Sequence, residues 1–460
     1  MYPQLFRGVV FPALNHLNGT RIHQVLRQLE GTESHSLDQL RALQDEKLDR
    51  MLGWVRQHSS FYPDFWRTAP DTQRVGSLYP QLDGLPVVGK PELRDAVDGG
   101  LFPEPAFEGR SIRVNTSGST GRPMVFFRSA EQESWFWALR LRMWGWAGYR
   151  PGEPYMAINL NQRTAWKKRL QDILFRCTYL TYNADTQDSA HIVDLLAQRG
   201  IQHINAFSST LVVLARHMEH HGIPNPGVRA LTATGDNLDP EQRALVSRAF
   251  GGVPVTDYYG AGGEGVHLAS QCEANDRYHV HMENAITEIL DLRKGRPAEP
   301  GEVGTIVITQ LDNHAMPLIR YNLGDLATVG DDTPCSCGRQ FPTIADIHGR
   351  ACDMIYTPSG GALLPQFFFI AAFKFLENVY RYQIVQDRID HLTIKLVAEE
   401  GCDRGACERS LEANINAAAG HVFTMDFEWV DEIPLTDYGK PRPVISKLDG
   451  PPRPNGTGAG

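Results

Sequence analysis

The chain has 460 residues, 42% of them hydrophobic and 22% charged, with a formal net charge of −9. This length is enough for one large and one smaller domain, and the acidic balance predicts that nucleic acid is not a partner. The short apolar run at residues 9–14 is broken by proline, so it predicts neither a signal peptide nor a membrane span. Seven cysteines without an export signal favour a reduced, cytoplasmic setting, where clustered thiols suggest a metal.

Residues up to about 60 are predicted to be helical and to carry no chemistry. Ser36 is a suitable N-cap, and the apolar positions that follow it keep a helical period. These positions are Leu37, Leu40, Leu43, Leu48, Met51, Trp54 and Val55.

Residues 116–123 read Thr-Ser-Gly-Ser-Thr-Gly-Arg-Pro, a composition that suits neither a helix interior nor a regular strand. Glycine lets backbone N–H groups converge and the hydroxyls add donors, which together suit a polyphosphate. The alternative is a flexible surface turn. Residues 111–115 and 125–127 predict flanking strands. The candidate phosphate ligands in the loop are Ser117, Gly118, Ser119, Thr120 and Gly121.

Residues 131–146 predict a helix that carries Trp135, Trp137, Trp144 and Trp146. Such an aromatic stripe is typical of core, and the alternative is that one ring lines a ligand pocket.

Between residues 155 and 258 short apolar runs alternate with helical segments, which predicts a parallel sheet with crossover helices. Ligands of such sheets bind beyond the carboxyl ends of the strands. Two of these ends carry Gly235-Asp236 and Tyr259-Gly260. Tyr259 is predicted to stack on a flat heterocycle, with Tyr258 buried beneath it. The alternative is that both tyrosines simply close the core.

Residues 260–265 also spell G-x-G-x-x-G, the dinucleotide fingerprint. That motif requires a long helix after the last glycine, and residues 266–272 are too short and turn polar, so we do not expect nicotinamide binding. Glu264 is a candidate carboxylate for Mg²⁺.

Three cysteines and a histidine form a candidate zinc site, because thiolates and imidazole are the ligands that zinc prefers. The ligands are Cys272, His279, Cys335 and Cys337, with His281 as the alternative to His279. Unpaired cysteines in a core are the other interpretation.

Further along, residues 304–309 predict a strand, and Asp325, after a glycine at a strand or turn end, could accept both hydroxyls of a ribose. Residues 382–385 and 392–397 predict a strand pair, 406–418 a helix and 424–430 a strand. A Gly-Lys pair ends at Lys440, and residues 449–460 are rich in proline and glycine, which predicts a disordered tail.

Taken in order, these motifs resemble those of the adenylate-forming superfamily, in its phenylacetate-CoA ligase-like and capsule-biosynthesis-like branch. The resemblance implies an α/β fold, with a large N-terminal adenylating domain of parallel and mixed sheets with crossover helices and a small α+β C-terminal cap. The implied large domain is residues 1–349, with N-terminal helices at 1–60 and a zinc-stapled region at 272–337. The mobile C-terminal domain is implied at 350–448.

The resemblance also implies roles for single residues. Gly235, Asp236, Tyr259, Gly260 and Arg350 join the phosphate loop in binding the nucleotide, and Asp325 holds its ribose. Lys440 bridges the carboxylate and the α-phosphate, and zinc is structural. The chain departs from the family's pattern in three places. Gly262 and Gly263 replace Thr and Glu ahead of Glu264, so either a local bulge brings Glu264 to the magnesium or the metal is held differently. Met124 stands where lysine is common in other branches, and Cys352 replaces the aspartate of the hinge beside Asp353.

The implied activity is that of an acid-thiol ligase. ATP with Mg²⁺ activates a carboxylic acid, an aryl or other apolar-tailed one, as acyl-AMP, and the thiol of coenzyme A or of an acyl carrier protein then takes the acyl group. Two alternatives are transfer to an amine or hydroxyl or release of the adenylate, and a degenerate protein that binds nucleotide without turnover.

Overall fold

The computed structural model describes most of the chain. The described residues are 2–115, 124–159, 166–181, 189–235, 238, 240–272, 274–331, 333–350, 355–358, 362–363, 368, 379–398, 401–434 and 442–448.

Helices fill the first hundred residues and alternate with strands further on. They are α1 (Tyr2–Leu5), a π-helical segment (Phe6–Val10), α2 (Phe11–Leu17), α3 (Ile22–Thr32), α4 (Leu37–His58), α5 (Tyr62–Thr68), α6 (Lys90–Asp98), α7 (Ala130–Trp146), α8 (Trp166–Leu174), α9 (Ser189–Gln198), α10 (Ser208–His220), α11 (Pro240–Ala249) and α12 (Arg404–Ala419), with short 3₁₀ turns at Asp71–Gln73 and Pro105–Phe107.

The strands begin after residue 110. They are β1 (Ile112–Asn115), β2 (Val125–Arg128), β3 (Tyr155–Asn159), β4 (Cys177–Thr181), β5 (His203–Phe207), β6 (Ala230–Thr234), β7 (Val255–Ala261), β8 (Val266–Cys272), β9 (Asn275–Val280), β10 (Ala285–Asp291), β11 (Arg296–Pro297), β12 (Val303–Gln310), β13 (Tyr321–Val329), β14 (Thr343–Arg350), β15 (Ile355–Tyr356), β16 (Ala362–Leu363), β17 (Val379–Arg388), β18 (His391–Ala398), β19 (Thr424–Trp429) and β20 (Val444–Ser446).

Helix α4 is the longest of the described helices and begins where the sequence predicts. Ser36 accepts a hydrogen bond from the backbone of Gln39, whose side chain accepts one from the backbone of Ser36, a complete capping box. Its apolar face is buried, and Lys47 on the same helix pairs with Asp312 at 2.8 Å. The predicted helix and its cap are therefore confirmed, and an ion pair to the segment after β12 anchors the helix in addition to its packing.

The parallel half of the main sheet has the strand order β7-β6-β5-β3-β4. Each neighbouring pair is parallel, and helices α9, α10 and α11 lie between consecutive strands in the sequence. The predicted alternation of strand and helix is confirmed. The sequence prediction missed α8 and β4. Three consecutive basic residues in α8 and two threonines in the five residues of β4 leave neither segment a clear apolar run.

Beyond β7 the same sheet continues through strands that include antiparallel pairs, in the order β7-β8-β9-β14-β13-β12-β10-β11. The sheet of twelve strands is thus mixed, as predicted. Strands β1 and β2 form a separate antiparallel pair on either side of residues 116–123. Both flanking strands are confirmed, and the loop itself lies outside the described residues.

The backbone contacts divide the chain into two compact units. The first comprises Met1–Leu323 and Ala327–Ile347, and the second Gly324–Leu326 and His348–Gly460. In the second unit, α12 packs on a sheet of order β19-β18-β17-β20 through a core that includes Ile394 and Leu411. The strand pair, helix and strand predicted for this region are confirmed. Among the described residues, no helix combines the length and the apolar character needed to cross a bilayer.

Candidate functional site

Nine of the predicted site residues fall outside the part of the chain that the structure describes. They are Ser117, Gly118, Ser119, Thr120, Gly121, Asp236, Cys352, Asp353 and Lys440. Their roles remain predictions. Arg350 is the last residue of β14, and only its backbone is described.

The carboxyl ends of β6 and β7 lie side by side, as parallel strands require. Gly235 directly follows β6, and the hydroxyl of Thr234 donates to the carbonyl of Tyr258 at 3.3 Å. Tyr258 is buried, its hydroxyl 2.9 Å from the side-chain oxygen of Asn205, whereas Tyr259 is half-buried. The predicted burial of Tyr258 is confirmed. Its predicted position beneath Tyr259 is not, because the two side chains pack against different hydrophobic clusters, and Tyr259 is the more exposed of the two.

Gly260 allows the two strands after Tyr259 to approach closely. A Cβ at this position would lie 2.7 Å from both the Nδ1 atom of His267 and the carbonyl oxygen of Val266. The pairing register of β7 and β8 also shifts between Tyr259 and Gly260, which marks a bulge. Glycine is therefore required here by packing, whatever the role of the site.

Residues 262–265 form the tight turn between β7 and β8. The segment that follows Gly265 is a strand and not a helix. Since the dinucleotide motif needs a helix at this point, the prediction that residues 266–272 do not form that helix is confirmed.

Buried side chains bind all four carbonyl groups of this turn. The Arg128 guanidinium donates to the carbonyls of Gly262 and Gly263, the Gln132 amide to Gly265 at 2.6 Å and the Gln310 amide to Glu264 at 2.7 Å. The backbone that carries Glu264 is therefore fixed from three elements: β2, α7 and β12.

Arg128 is the charged member of this support. It is 5% exposed and forms an ion pair with Glu133 at 3.0 Å. Burial lowers the pKa of the Arg128 guanidinium, and the carboxylates of Glu133 and Glu264 oppose that shift. No spacing rule pointed to Arg128, Gln132 or Gln310, because their partners are backbone groups more than 40 residues away along the chain.

Asp325 lies within β13 and not at a strand end, so the predicted position in the strand is wrong. The preceding Gly324 has φ of +79°, which interrupts the regular strand. The role of Asp325 toward a ribose stays a prediction.

Arg320, five residues before Asp325, has a structural role. It is fully buried, pairs with Glu288 at 3.3 Å and donates to the carbonyls of Val75 and Leu85. These contacts fix the segment after α5 to the sheet.

The four predicted zinc ligands come together. Their ligand atoms, on Cys272, His279, Cys335 and Cys337, all lie within 4.8 Å of one another. The Sγ atoms of Cys272 and Cys335 are 3.6 Å apart, and the Nε2 atom of His279 is 3.5 Å from Cys337 Sγ. A thiolate and an imidazole or second thiolate on a tetrahedral zinc are about 3.5 to 3.8 Å apart, so these two distances match those expected for this ion.

His281, the alternative ligand, is held elsewhere. Arg142 donates to its Nδ1 atom at 2.6 Å, so its Nε2–H faces the hydroxyl of Ser270 at 3.2 Å. Burial lowers the pKa of His281 well below its ordinary value, and Arg142 lowers it further. The geometry therefore assigns the imidazole of the cluster to His279.

Comparison with known proteins gives matches along most of the chain. Residues 355–447 match the family described as the CapK C-terminal domain. Protein CapK of Staphylococcus aureus is 21% identical over 424 residues, covering 88% of this chain and 89% of that protein. Phenylacetate-coenzyme A ligase of Thermus thermophilus is 27% identical over 377 residues, covering 79% and 82%.

A solved structure shows the same fold. The 2-hydroxyisobutyryl-CoA ligase in the postadenylation state, in complex with R3-HIB-AMP, superposes with a TM-score of 0.71 at 20% identity, covering 90% of this chain and 91% of that one.

Proposed function

We propose that the chain is an ATP-dependent acid-thiol ligase. It is similar in sequence to CapK and to phenylacetate-CoA ligases, and it has the fold of the adenylate-forming ligases. A carboxylic acid, aryl or otherwise apolar-tailed, is activated as acyl-AMP and passed to the thiol of coenzyme A or of a carrier protein. One observation carries the proposal: the similarity spans about four fifths or more of both this chain and these relatives.

In the first step a carboxylate oxygen of the acid forms a bond to the α-phosphorus of ATP, and the bond from that phosphorus to the pyrophosphate oxygen breaks. The loop at 117–121 binds the phosphates, Tyr259 stacks on adenine between Gly235 and Gly260, and Asp325 binds the ribose. The ammonium of Lys440 offsets the repulsion between the two reacting anions, which is an electrostatic contribution to the transition state. Mg²⁺ neutralises phosphate charge, and Glu264 is the carboxylate proposed to hold it.

Support for Glu264 comes from its turn. Arg128, Gln132 and Gln310 bind the backbone of residues 262–265, so the glutamate occupies a fixed position one residue beyond the family's usual one. A fixed ligand loses little entropy when a metal or a phosphate binds.

In the second step the thiolate attacks the acyl carbon of the adenylate and AMP leaves. We propose that the C-terminal domain, proposed at 350–448, rotates before this step. Cys352 and Asp353 are the proposed hinge of that rotation. Zinc has a structural role, bound by Cys272, His279, Cys335 and Cys337.

The test is ATP–pyrophosphate exchange across a panel of aryl and alkyl acids, followed by thioester detection with coenzyme A. We expect exchange with at least one acid, and its loss by roughly 100-fold or more in Lys440→Ala. Lys447→Ala, an exposed lysine of the same region, is the matched control and should keep full exchange.

Three other outcomes separate the alternatives. Exchange without thioester would indicate an amine or hydroxyl acceptor, or release of the adenylate. Thioester formed only on a carrier protein would exclude coenzyme A. No exchange with any acid would favour the degenerate nucleotide-binding protein.

A further inference from the structure

Five side chains form a compact group, which we call the Phe136 cluster: Arg128, Phe136, Trp137, Arg140 and His267. The ring of His267 stacks on Phe136 at a centroid distance of 4.3 Å and an angle of 16°. The guanidinium carbons of Arg128 and Arg140 lie 4.6 and 4.9 Å from the centre of the same ring. Arg140 also lies 4.8 Å from the ring centre of Trp137.

Several nitrogens of this cluster are buried without a partner among the described residues. They are both ring nitrogens of His267, the Nε atom of Arg128 and the Nε atom of Arg140. His267 is 3% exposed and Arg128 is 5% exposed, so solvent does not reach these groups freely. Buried polar groups are nearly always hydrogen-bonded, and each exception requires an explanation, such as a bound water or ion or a functional role.

The cluster is directly adjacent to the proposed adenylation site. The Nδ1 atom of His267 lies 2.7 Å from the point where a Cβ of Gly260 would be, and Gly260 follows the half-buried Tyr259. Arg128 binds the turn that presents Glu264. A ligand group that met these nitrogens would therefore be close to the proposed adenine and metal-binding residues.

The unpartnered groups define the chemistry of such a ligand. Burial lowers the pKa of His267 well below its ordinary value, and Arg140 and Arg128 lower it further, so the imidazole is neutral. A neutral imidazole offers one N–H donor and one acceptor, and each guanidinium Nε offers a donor. Three donors against one acceptor favour a group that accepts hydrogen bonds, while the faces of Phe136 and Trp137 favour an apolar body.

We propose that the Phe136 cluster contacts the acyl part of the acid. This acid carries a hydrogen-bond-accepting substituent, a hydroxyl or a second carboxylate, which hydrogen-bonds with His267 and Arg140. The inference rests on the proposed function and narrows its substrate class. His267 and Arg140 are specificity-determining residues, because their part is to distinguish substituted acids from the unsubstituted parents.

The experiment measures kcat/KM of pyrophosphate exchange for matched acids: phenylacetate against its hydroxy and carboxy derivatives, and butyrate against hydroxybutyrate and succinate. We expect at least one substituted acid to exceed its parent by about 10-fold or more, because a site with unpaired polar groups rejects the analogue that leaves them unpaired. Arg140→Met and His267→Phe should each reduce that preference several-fold. Arg216→Met, on the exposed face of α10, is the matched control and should retain it.

Equal or better use of every parent acid by the wild type, or a preference unchanged in both variants, would overturn the proposal. Arg140 is half-buried on a helix, so Arg140→Met decides the matter if His267→Phe does not fold. Calorimetric titration of the same acids keeps the two proposals distinct. If the wild type binds a substituted acid preferentially, Arg140→Met removes that preference, and no pyrophosphate exchange is detected, only the enzymatic function is contradicted. If exchange or binding occurs without any preference for substituted acids, only this inference is contradicted.

Discussion

The two ends of β8 carry two differently built regions. At its start the turn at residues 262–265 has all four carbonyls bound by Arg128, Gln132 and Gln310. At its end Cys272 joins His279, Cys335 and Cys337, whose ligand atoms contact one another. Side chains of the protein itself bind the first region, whereas the second is the proposed zinc site, in which an ion would satisfy the thiolates. If that proposal holds, the two regions should respond differently to perturbation.

Zinc removal should give the largest effect. Because the ion binds only the folded ligand set, free zinc a thousandfold above its Kd stabilises the fold by about 4 kcal/mol. We expect one zinc per chain by elemental analysis, and chelation should lower the free energy of unfolding measured in urea. Cys335→Ser combined with Cys337→Ser should reproduce the loss, while Cys402→Ser, outside the cluster, should not. Purified protein that contains no zinc and is insensitive to chelator would contradict the assignment.

Hydrogen exchange sharpens the same comparison. After chelation we expect faster amide exchange around Cys272 and the loop at 335–337, and little change at residues 262–265. Equal acceleration at both ends of β8 would show that the turn depends on the metal after all, and that the two regions are not independent.

Arg128→Met should have the next largest effect, now at the other end of β8. The substitution leaves Glu133 without its buried partner and the carbonyls of Gly262 and Gly263 unbound. The free energy of unfolding measured in urea should therefore fall by about 3 kcal/mol. Displacing Glu264 should also lower pyrophosphate exchange by roughly 100-fold. Arg128→Lys keeps the charge but not the planar fork, so it should recover stability more than exchange. Zinc content should be unchanged, and a loss of zinc in Arg128→Met would break the comparison.

Gly260→Ala should have an intermediate effect. The added methyl meets both His267 Nδ1 and the Val266 carbonyl at 2.7 Å, and overpacking of this kind costs about 2 kcal/mol. Gly145→Ala in α7, where nothing lies within 4 Å, is the matched control and should not destabilise. Combining Gly260→Ala with His267→Ala removes only the side-chain contact, so we expect no more than partial recovery. Full recovery would mean that the backbone contact is harmless.

The sequence predictions agree with the structure where a local pattern determines an element, and they fail where residues far apart in the sequence contact one another. Ser36 and the apolar period after it were sufficient to predict α4, and the alternating segments from β3 to β7 were sufficient to predict the parallel strands. The spacing of Cys335 and Cys337 was sufficient to predict the group of candidate metal ligands. The sequence could not show that Asp325 lies within a strand, since that follows from the pairing of β13. It also could not reveal that Arg128 binds the turn at residues 262–265, because its partners there are carbonyls, which every residue type has.

Gln132→Leu should have the smallest effect and tests how the turn is held. The substitution keeps the volume near that of glutamine but leaves the Gly265 carbonyl without its donor, which should cost about 1 kcal/mol. Because Arg128 and Gln310 still bind the other three carbonyls, exchange should fall far less than in Arg128→Met. Gln57→Leu, an exposed position on α4, is the control for added apolar surface. A loss of exchange as large as that of Arg128→Met would mean that the turn is cooperative, with each donor necessary for the position of Glu264.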